Sequence, residues 1–283
     1  MLPQLAHANP QGGTVVDGTA TIQETSATRL DINQTTHKAV INWNSFSIGA
    51  NEHTNFNQPS SSSITLNRVT GNSISDIAGR LTANGRIWLI NGNGILFRSS
   101  AGIDVHGLIA TTSNIANTDF MAGNYQFTPG KNPSAFVINR GNITVAEGGL
   151  AALVAPWAQN SGGINARLGR VHLASGDTFT IDTYGDGLIK LALSAQRAAA
   201  LGARPDQMDS GVPLSNDGTI SADGGYVAMS VADVAGVVDS VINMDGIIQA
   251  RAVEQIGGTI VLKGGDTGIV RVAGTLDASG KDA

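Results

Sequence analysis

Cysteine is absent from the 283 residues. This excludes disulfides, thiolate catalysis and Cys-ligated zinc, and it suits a chain that crosses an oxidising compartment unfolded. Charge is scarce: 14% of residues are charged, against about 25% in an ordinary soluble domain. With 17 Lys and Arg against 22 Asp and Glu, the net charge is −5, so no broad basic face is expected to track nucleic-acid phosphates. Apolar runs such as residues 149–156 are far too short to span a bilayer. Helical periodicity is nearly missing; one short helix is predicted over residues 194–201, closed by Gly202 and followed by Pro205. Disorder is excluded from the other side, because hydrophobic residues make up 41% and runs such as Ile87-Trp88-Leu89-Ile90 require a core.

What is abundant is glycine, 36 residues and nearly twice the usual rate of about 7%. It punctuates short β-branched and aliphatic runs that read as strands of about four to six residues. The units also repeat. Gly218-Thr219-Ile220-Ser221-Ala222, Gly246-Ile247-Ile248-Gln249-Ala250 and Gly274-Thr275-Leu276-Asp277-Ala278 start 28 residues apart, and Gly141-Asn142-Ile143-Thr144-Val145 has the same grammar. A fixed period in this range marks an array whose units cannot bury their apolar faces alone. Units of short strands and Gly/Asn turns wind into a parallel β-helix, each strand pairing with its equivalent one coil on. The predicted fold is therefore all-β, a parallel β-helix with aliphatic side chains inward and Thr, Ser, Asn and Asp outward. At about 20–28 residues per coil it would make roughly ten to thirteen coils. The period is too short for a propeller, and a sandwich would not produce the repeat.

Along the chain, Ala6-His7-Ala8 has the A-x-A form that ends a secretory signal, so residues 1–8 are read as a residual signal end and Asn9 as the mature start; a chance alanine pair is the plain alternative. Residues 276–283 read as a cut through a continuing pattern. Residues 9–283 form one domain: a cap over about 9–42, coils over about 43–283, and excursions at about 117–133 and 194–213, where breakers replace the repeat.

Chemical motifs are weak. The five histidines are scattered without metal-ligand spacing, so no metal and no cofactor are expected. Gly130-Lys131-Asn132 lacks both the spacing and the Ser/Thr of a phosphate loop. Asp177, Asp182 and Asp186 sit beside Gly176, Gly185 and Gly187, which is ordinary turn chemistry, so no catalytic residue is assigned and no enzyme is expected. Asn33-Gln34-Thr35 and Asn142-Ile143-Thr144 match a glycosylation sequon, as the composition would produce by chance.

Residues 42–112 are the most informative. They contain Trp43-Asn44-Ser45-Phe46-Ser47-Ile48-Gly49, then Leu66-Asn67-Arg68-Val69, then Asn84-Gly85 leading through Leu89-Ile90 to Asn91-Gly92-Asn93-Gly94-Ile95, then Gly107-Leu108-Ile109-Ala110-Thr111-Thr112. This order resembles the secretion domain of two-partner-secretion exoproteins, the filamentous-haemagglutinin-like N-terminal domain, whose four signature segments occur in the same order. One position departs: the family's Asn-Pro-Asn-Gly-Ile has Gly92 in place of proline. Asn91 and Asn93 are expected to keep the turn through Asx-type bonds.

The resemblance implies a right-handed parallel β-helix at the N-terminus of a large Gram-negative exoprotein. It implies recognition in the periplasm by the POTRA repeats of a cognate TpsB-type outer-membrane barrel, with folding outside the cell and a secreted or surface location. On that basis Asn67, Arg68, Asn91, Gly92, Asn93, Gly94 and Ile95 are candidates for transporter recognition. Arg68 could instead pair with a backbone corner or a cap aspartate. Trp43, Phe46 and Phe56 are read as packing between cap and first coil rather than as an exposed patch. The chain is read as a monomer, and its parent as an adhesin that touches host glycan or protein. An adhesive rod in its own right, or a β-helix polysaccharide-degrading enzyme, are the alternatives.

Overall fold

A computed structural model describes residues 9–182, 190–193, 203–232, 240–253, 256–264 and 268–280. The expected signal end at 1–8 and helix at 194–201 lie outside the described residues, as does Asp186.

Three long sheets run along the molecule. The first has nine strands, from Thr14–Asp17 to Thr259–Lys263; the second has ten, from Ala20–Ser26 to Thr275–Asp277; the third has seven, from Ser75–Ile77 to Ile269–Val272. Successive coils contribute one strand to each sheet, and the pairing between coils is parallel, as for Arg86–Ile90 against Gly107–Thr111 and Ile247–Gln249 against Thr275–Asp277. This is a parallel β-helix, of the right hand that crossover connections take. The first sheet makes fewer rungs than the ten to thirteen expected from length, because residues are spent on two excursions.

The antiparallel N-terminal cover is shorter than the expected cap. Thr14–Asp17 runs antiparallel to Lys38–Trp43, and Ala20–Ser26 antiparallel to Arg29–Gln34. Arg29–Gln34 and Lys38–Trp43 are already coil strands, pairing in parallel with His53–Asn57 and Ile64–Val69. The two antiparallel strands satisfy edges that would otherwise be open to other chains.

The 28-residue period has a steric cause. At Gly162, Gly218, Gly246 and Gly274, a Cβ would run into the carbonyl oxygen of Gly141, Gly162, Gly218 and Gly246 respectively. One corner of the helix is a column of glycines, each sitting on the last. Two residues before these glycines stand Asn139, Asn160 and Asn216, fully buried. Asn139 Nδ2 donates to Asn160 Oδ1 at 2.8 Å, and Asn160 Nδ2 to Asn216 Oδ1 at 2.7 Å. Not every polar residue faces outward, then: the corner turns on an internal amide ladder whose members satisfy one another.

Two of the sheets bury both faces. In Arg86–Ile90, Ile87 and Leu89 point into the central core, while Trp88 and Ile90 belong to a second cluster. That outer layer is covered by a helix, Asn117–Ala122, and by an antiparallel sheet of Gln126–Phe127, Phe179–Asp182 and Lys190–Leu193. The excursion at 117–133 therefore pairs with a second one that leaves the coils near Phe179, upstream of residue 194. Of the segment 194–213, residues 203–213 are described; Met208 there packs with Leu96, Phe136, Ile138 and Trp157 on the outer face of the third sheet.

Candidate functional site

The signature residues lie on consecutive rungs. Ile64–Val69 pairs with Arg86–Ile90, and Asn91 to Ile95 turn the chain from the first sheet into the third.

Asn67 is fully buried on the inner side of its strand. Its Oδ1 accepts the Trp43 indole N–H at 3.0 Å, and its Nδ2 donates to the carbonyls of Thr65 and Trp88 at 3.3 and 3.4 Å. Beside it, Thr65 is buried between Gln34 Oε1 and Gln58 Nε2. These polar groups face the core yet are paired, Gln58 Oε1 excepted, which is the condition for burying them without a large penalty. Trp43 also meets Phe46 edge to face at 5.6 Å, and Trp43, Phe46 and Phe56 are all fully buried.

Arg68 points the other way. Its guanidinium donates to Asn114 Oδ1 at 2.9 Å, Asn42 Oδ1 at 3.3 Å, Asn117 Oδ1 at 2.7 Å and the Ile115 carbonyl at 2.6 Å. It thus holds the start of the Asn117–Ala122 helix against the first sheet with neutral oxygens rather than a cap aspartate. Burial lowers its pKa from the ordinary arginine value. Lys38 does the matching job at the helix end, donating to the Phe120 and Met121 carbonyls at 2.9 and 3.1 Å. Gln34, Gln58, Asn114 and Asn117, which complete these networks, carry no local sequence signal.

Residues 91–94 form a β-turn closed by the Gly94 N–H on the Asn91 carbonyl at 3.1 Å. The Asx bond is present: Asn93 N–H donates to Asn91 Oδ1 at 2.9 Å. Asn91 is fully buried and donates to the Ser73 carbonyl and Ser75 Oγ, both at 3.0 Å. Asn93 Nδ2 reaches the Gly71 carbonyl at 2.9 Å. Gly94 needs its missing side chain, with φ +133° and the Phe136 ring 3.0 Å from where a Cβ would stand. Ile95 is buried between Ser75 and Val137 of the neighbouring rungs.

Gly92 is different. It holds the second turn position, where proline is favoured, and its φ is outside the left-handed range. A Cβ there meets nothing nearer than the Thr112 carbonyl at 3.9 Å. Gly92→Pro is expected to stabilise the fold by about 0.4–1 kcal/mol, by restricting the unfolded chain. A denaturant midpoint that falls instead would show that the turn cannot take the ring.

Among the described residues, no group of three or more His, Cys, Asp or Glu side chains is placed to hold a metal ion, and no helix is long and apolar enough to cross a membrane.

Comparison with known proteins gives matches of three kinds. The model of the TPS secretion domain family matches residues 6–280. A heme/hemopexin-binding protein of Haemophilus influenzae is 33% identical over 276 residues, covering 89% of this chain and 28% of that protein. The protein of the same name from strain Rd is 34% identical over 222 residues, covering 76% and 24%. The chain thus spans about a quarter of the length of these curated relatives. Among solved structures, the HMW1 secretion domain of Haemophilus influenzae superposes with a TM-score of 0.80 at 30% identity, covering 97% of this chain and 68% of that one. The filamentous hemagglutinin secretion domain superposes with a TM-score of 0.54 at 14% identity, covering 95% and 99%; at that identity it speaks for the fold alone.

Proposed function

The chain belongs to the TPS secretion-domain family, and from that premise we propose that a TpsB-type transporter reads the segment from Asn67 to Ile95 through its POTRA repeats before that segment folds. The domain is a secretion domain, exported by two-partner secretion to the cell surface or beyond. The observation that supports the finer reading is burial. Asn67, Asn91 and Ile95 are fully buried and engaged inside the β-helix, so their side chains are accessible only in the unfolded chain. The same side chains that would mark the chain for export then become its internal fastenings. Coil-on-coil pairing lets folding advance one rung at a time as the chain emerges.

The domain acts by being recognised and by folding, without catalysis; its family is a secretion-domain family, not an enzyme family. The relatives are named for binding heme or hemopexin, and we propose host contact of that kind, or adhesion, for the parent exoprotein rather than for the secretion domain itself.

The test is binding of the isolated POTRA repeats to the full chain, freshly diluted from denaturant and after refolding. The unfolded chain is expected to bind at least about tenfold more tightly, a difference of about 1.4 kcal/mol. Equal binding of the folded chain, or no binding of either, rules the reading out.

A further inference from the structure

The N-terminal end of the second sheet carries a closed ring of side-chain hydrogen bonds on its outer face. Asp31 accepts from Arg29 at 2.9 Å, from Thr25 at 2.7 Å and from Asn55 at 3.1 Å. Asn55 Oδ1 accepts from Thr82 Oγ1 at 2.7 Å. His53 closes the ring, with Nε2 2.7 Å from Thr82 Oγ1 and Nδ1 3.1 Å from Arg29 Nη1. The members come from three successive rungs, since Arg29, His53 and Arg80 are in register. Thr25 brings in the antiparallel strand Ala20–Ser26 that covers this sheet.

The ring has one consistent arrangement of protons. Arginine only donates, so His53 Nδ1 must be the bare acceptor. The Thr82 hydroxyl proton is committed to Asn55, so His53 Nε2 carries the hydrogen and donates to Thr82. A second proton on His53 has nowhere to go but Nδ1, where it meets the Arg29 donor head on. We propose that His53 is a proton-operated latch: neutral, it holds Arg29 on Asp31, the carboxylate to which Thr25 fastens the antiparallel cover strand, and protonated, it expels Arg29 and loosens that strand. Release would bare the edge of Arg29–Gln34, a ready partner for another strand.

The surrounding charges fit this role. Facing His53 are Arg29 and Asp31 from one neighbouring strand and Arg80 from the other; Glu52, next in the chain, accepts from the Gly49 N–H. Burial first, then Arg29 and Arg80, shift His53 toward the neutral form, against a smaller opposing effect of Asp31. Asp31 itself is held at about 2, chiefly by the Arg29 bond, so it stays ionised throughout the range in which an imidazole titrates.

Hydrogen exchange of the full chain at about pH 7.5 and about pH 5, corrected for intrinsic rates, reads the latch. The hairpin Ala20–Gln34 is expected to lose protection by about tenfold at the lower pH, relative to the strand Phe136–Asn139. His53→Gln keeps one acceptor and one donor but cannot take a proton, so its hairpin should stay protected. Unchanged protection in the wild type, or the same acid loss in His53→Gln, overturns the proposal. Should the Gln variant already be open at neutral pH, an NMR titration of the wild-type His53 ring decides: its midpoint must coincide with that of hairpin opening, and separate midpoints overturn it.

Discussion

Replacing Trp88 with alanine is expected to lower stability by about 3–5 kcal/mol. Trp88 is 2% exposed although its side chain stands on the outer face of the first sheet. Its ring meets Phe120 at 5.3 Å and Tyr125 at 4.7 Å, both edge to face, and Phe127 at 5.6 Å. Lys38 Nζ stands 5.0 Å from the Tyr125 ring centre and 5.6 Å from that of Phe120. Aromatic pairs of this geometry contribute about 0.5–1.5 kcal/mol each beyond the area they bury. Truncation leaves a cavity between a rigid sheet and a short helix that cannot collapse onto it. The damage should be directional. Ile87 and Leu89 stay in the central core, so the coils persist while the cover formed by Asn117–Ala122 and Gln126–Phe127 loosens. Trp88→Phe should recover most of the loss. Urea unfolding checks the size and hydrogen exchange the location; a loss below about 1 kcal/mol would mean that the outer layer adds little to the folded state.

That outer layer also marks where the sequence stopped being readable. The solenoid was legible because its steric constraint recurs: a glycine must sit where one corner stacks on the next, so Gly218, Gly246 and Gly274 print the period directly. Double-sided burial was half legible. The unbroken run Ile87 to Ile90 signals a strand covered on both faces, but not by what. The cover itself left little trace. Asn117–Ala122 is too short to show helical periodicity, and Phe127 meets Phe179, 52 residues further along the chain (179 − 127), in a ring stack 4.2 Å apart, a pairing no local pattern encodes. The candidate site divides in the same way. The Asx bond at Asn91 could be read because its partner is two residues away. The fate of Asn67 could not, because a polar residue in a strand is normally assigned to the outer face, and its indole partner is 24 residues distant. Arg68 likewise turned on asparagines 46 and 49 residues later.

Lowering the pH should destabilise the domain through His172 before the carboxylates that stabilise it lose their charge. His172 is 6% exposed, its Nε2 has no hydrogen-bond partner, and its ring lies 5.6 Å from that of Tyr226. Burial above all, and then the neighbouring Arg170, push its pKa from 6.5 down to about 4. In the unfolded chain the imidazole takes up a proton near pH 6.5; in the folded domain it does so only near 4. Between those values the unfolded state binds more protons, so stability falls as pH falls. The contribution is intact above about 6.5, is lost progressively through the window, and amounts in full to about 3 kcal/mol. The carboxylates held below their ordinary pKa act in a lower range. Asp31 at about 2, and Asp223 and Asp277 lowered by their bonds to Arg251 and Ser279, lose their stabilising charge only below the ordinary carboxylate pKa of about 4. The two causes of acid unfolding are therefore separated on the pH axis. His172→Leu keeps an apolar side chain of similar bulk and removes the titration, so its stability should be nearly flat from about pH 6.5 to about pH 4 apart from the smaller effects of His53 and His106, which burial shifts the same way, and of Asp217, which burial shifts up and which therefore acts in the opposite sense. Denaturant unfolding across that range, with His53→Gln and His106→Gln measured alongside, tells the three histidines apart. If His172→Leu loses stability as steeply as the wild type, the buried imidazole is not the group that senses acid.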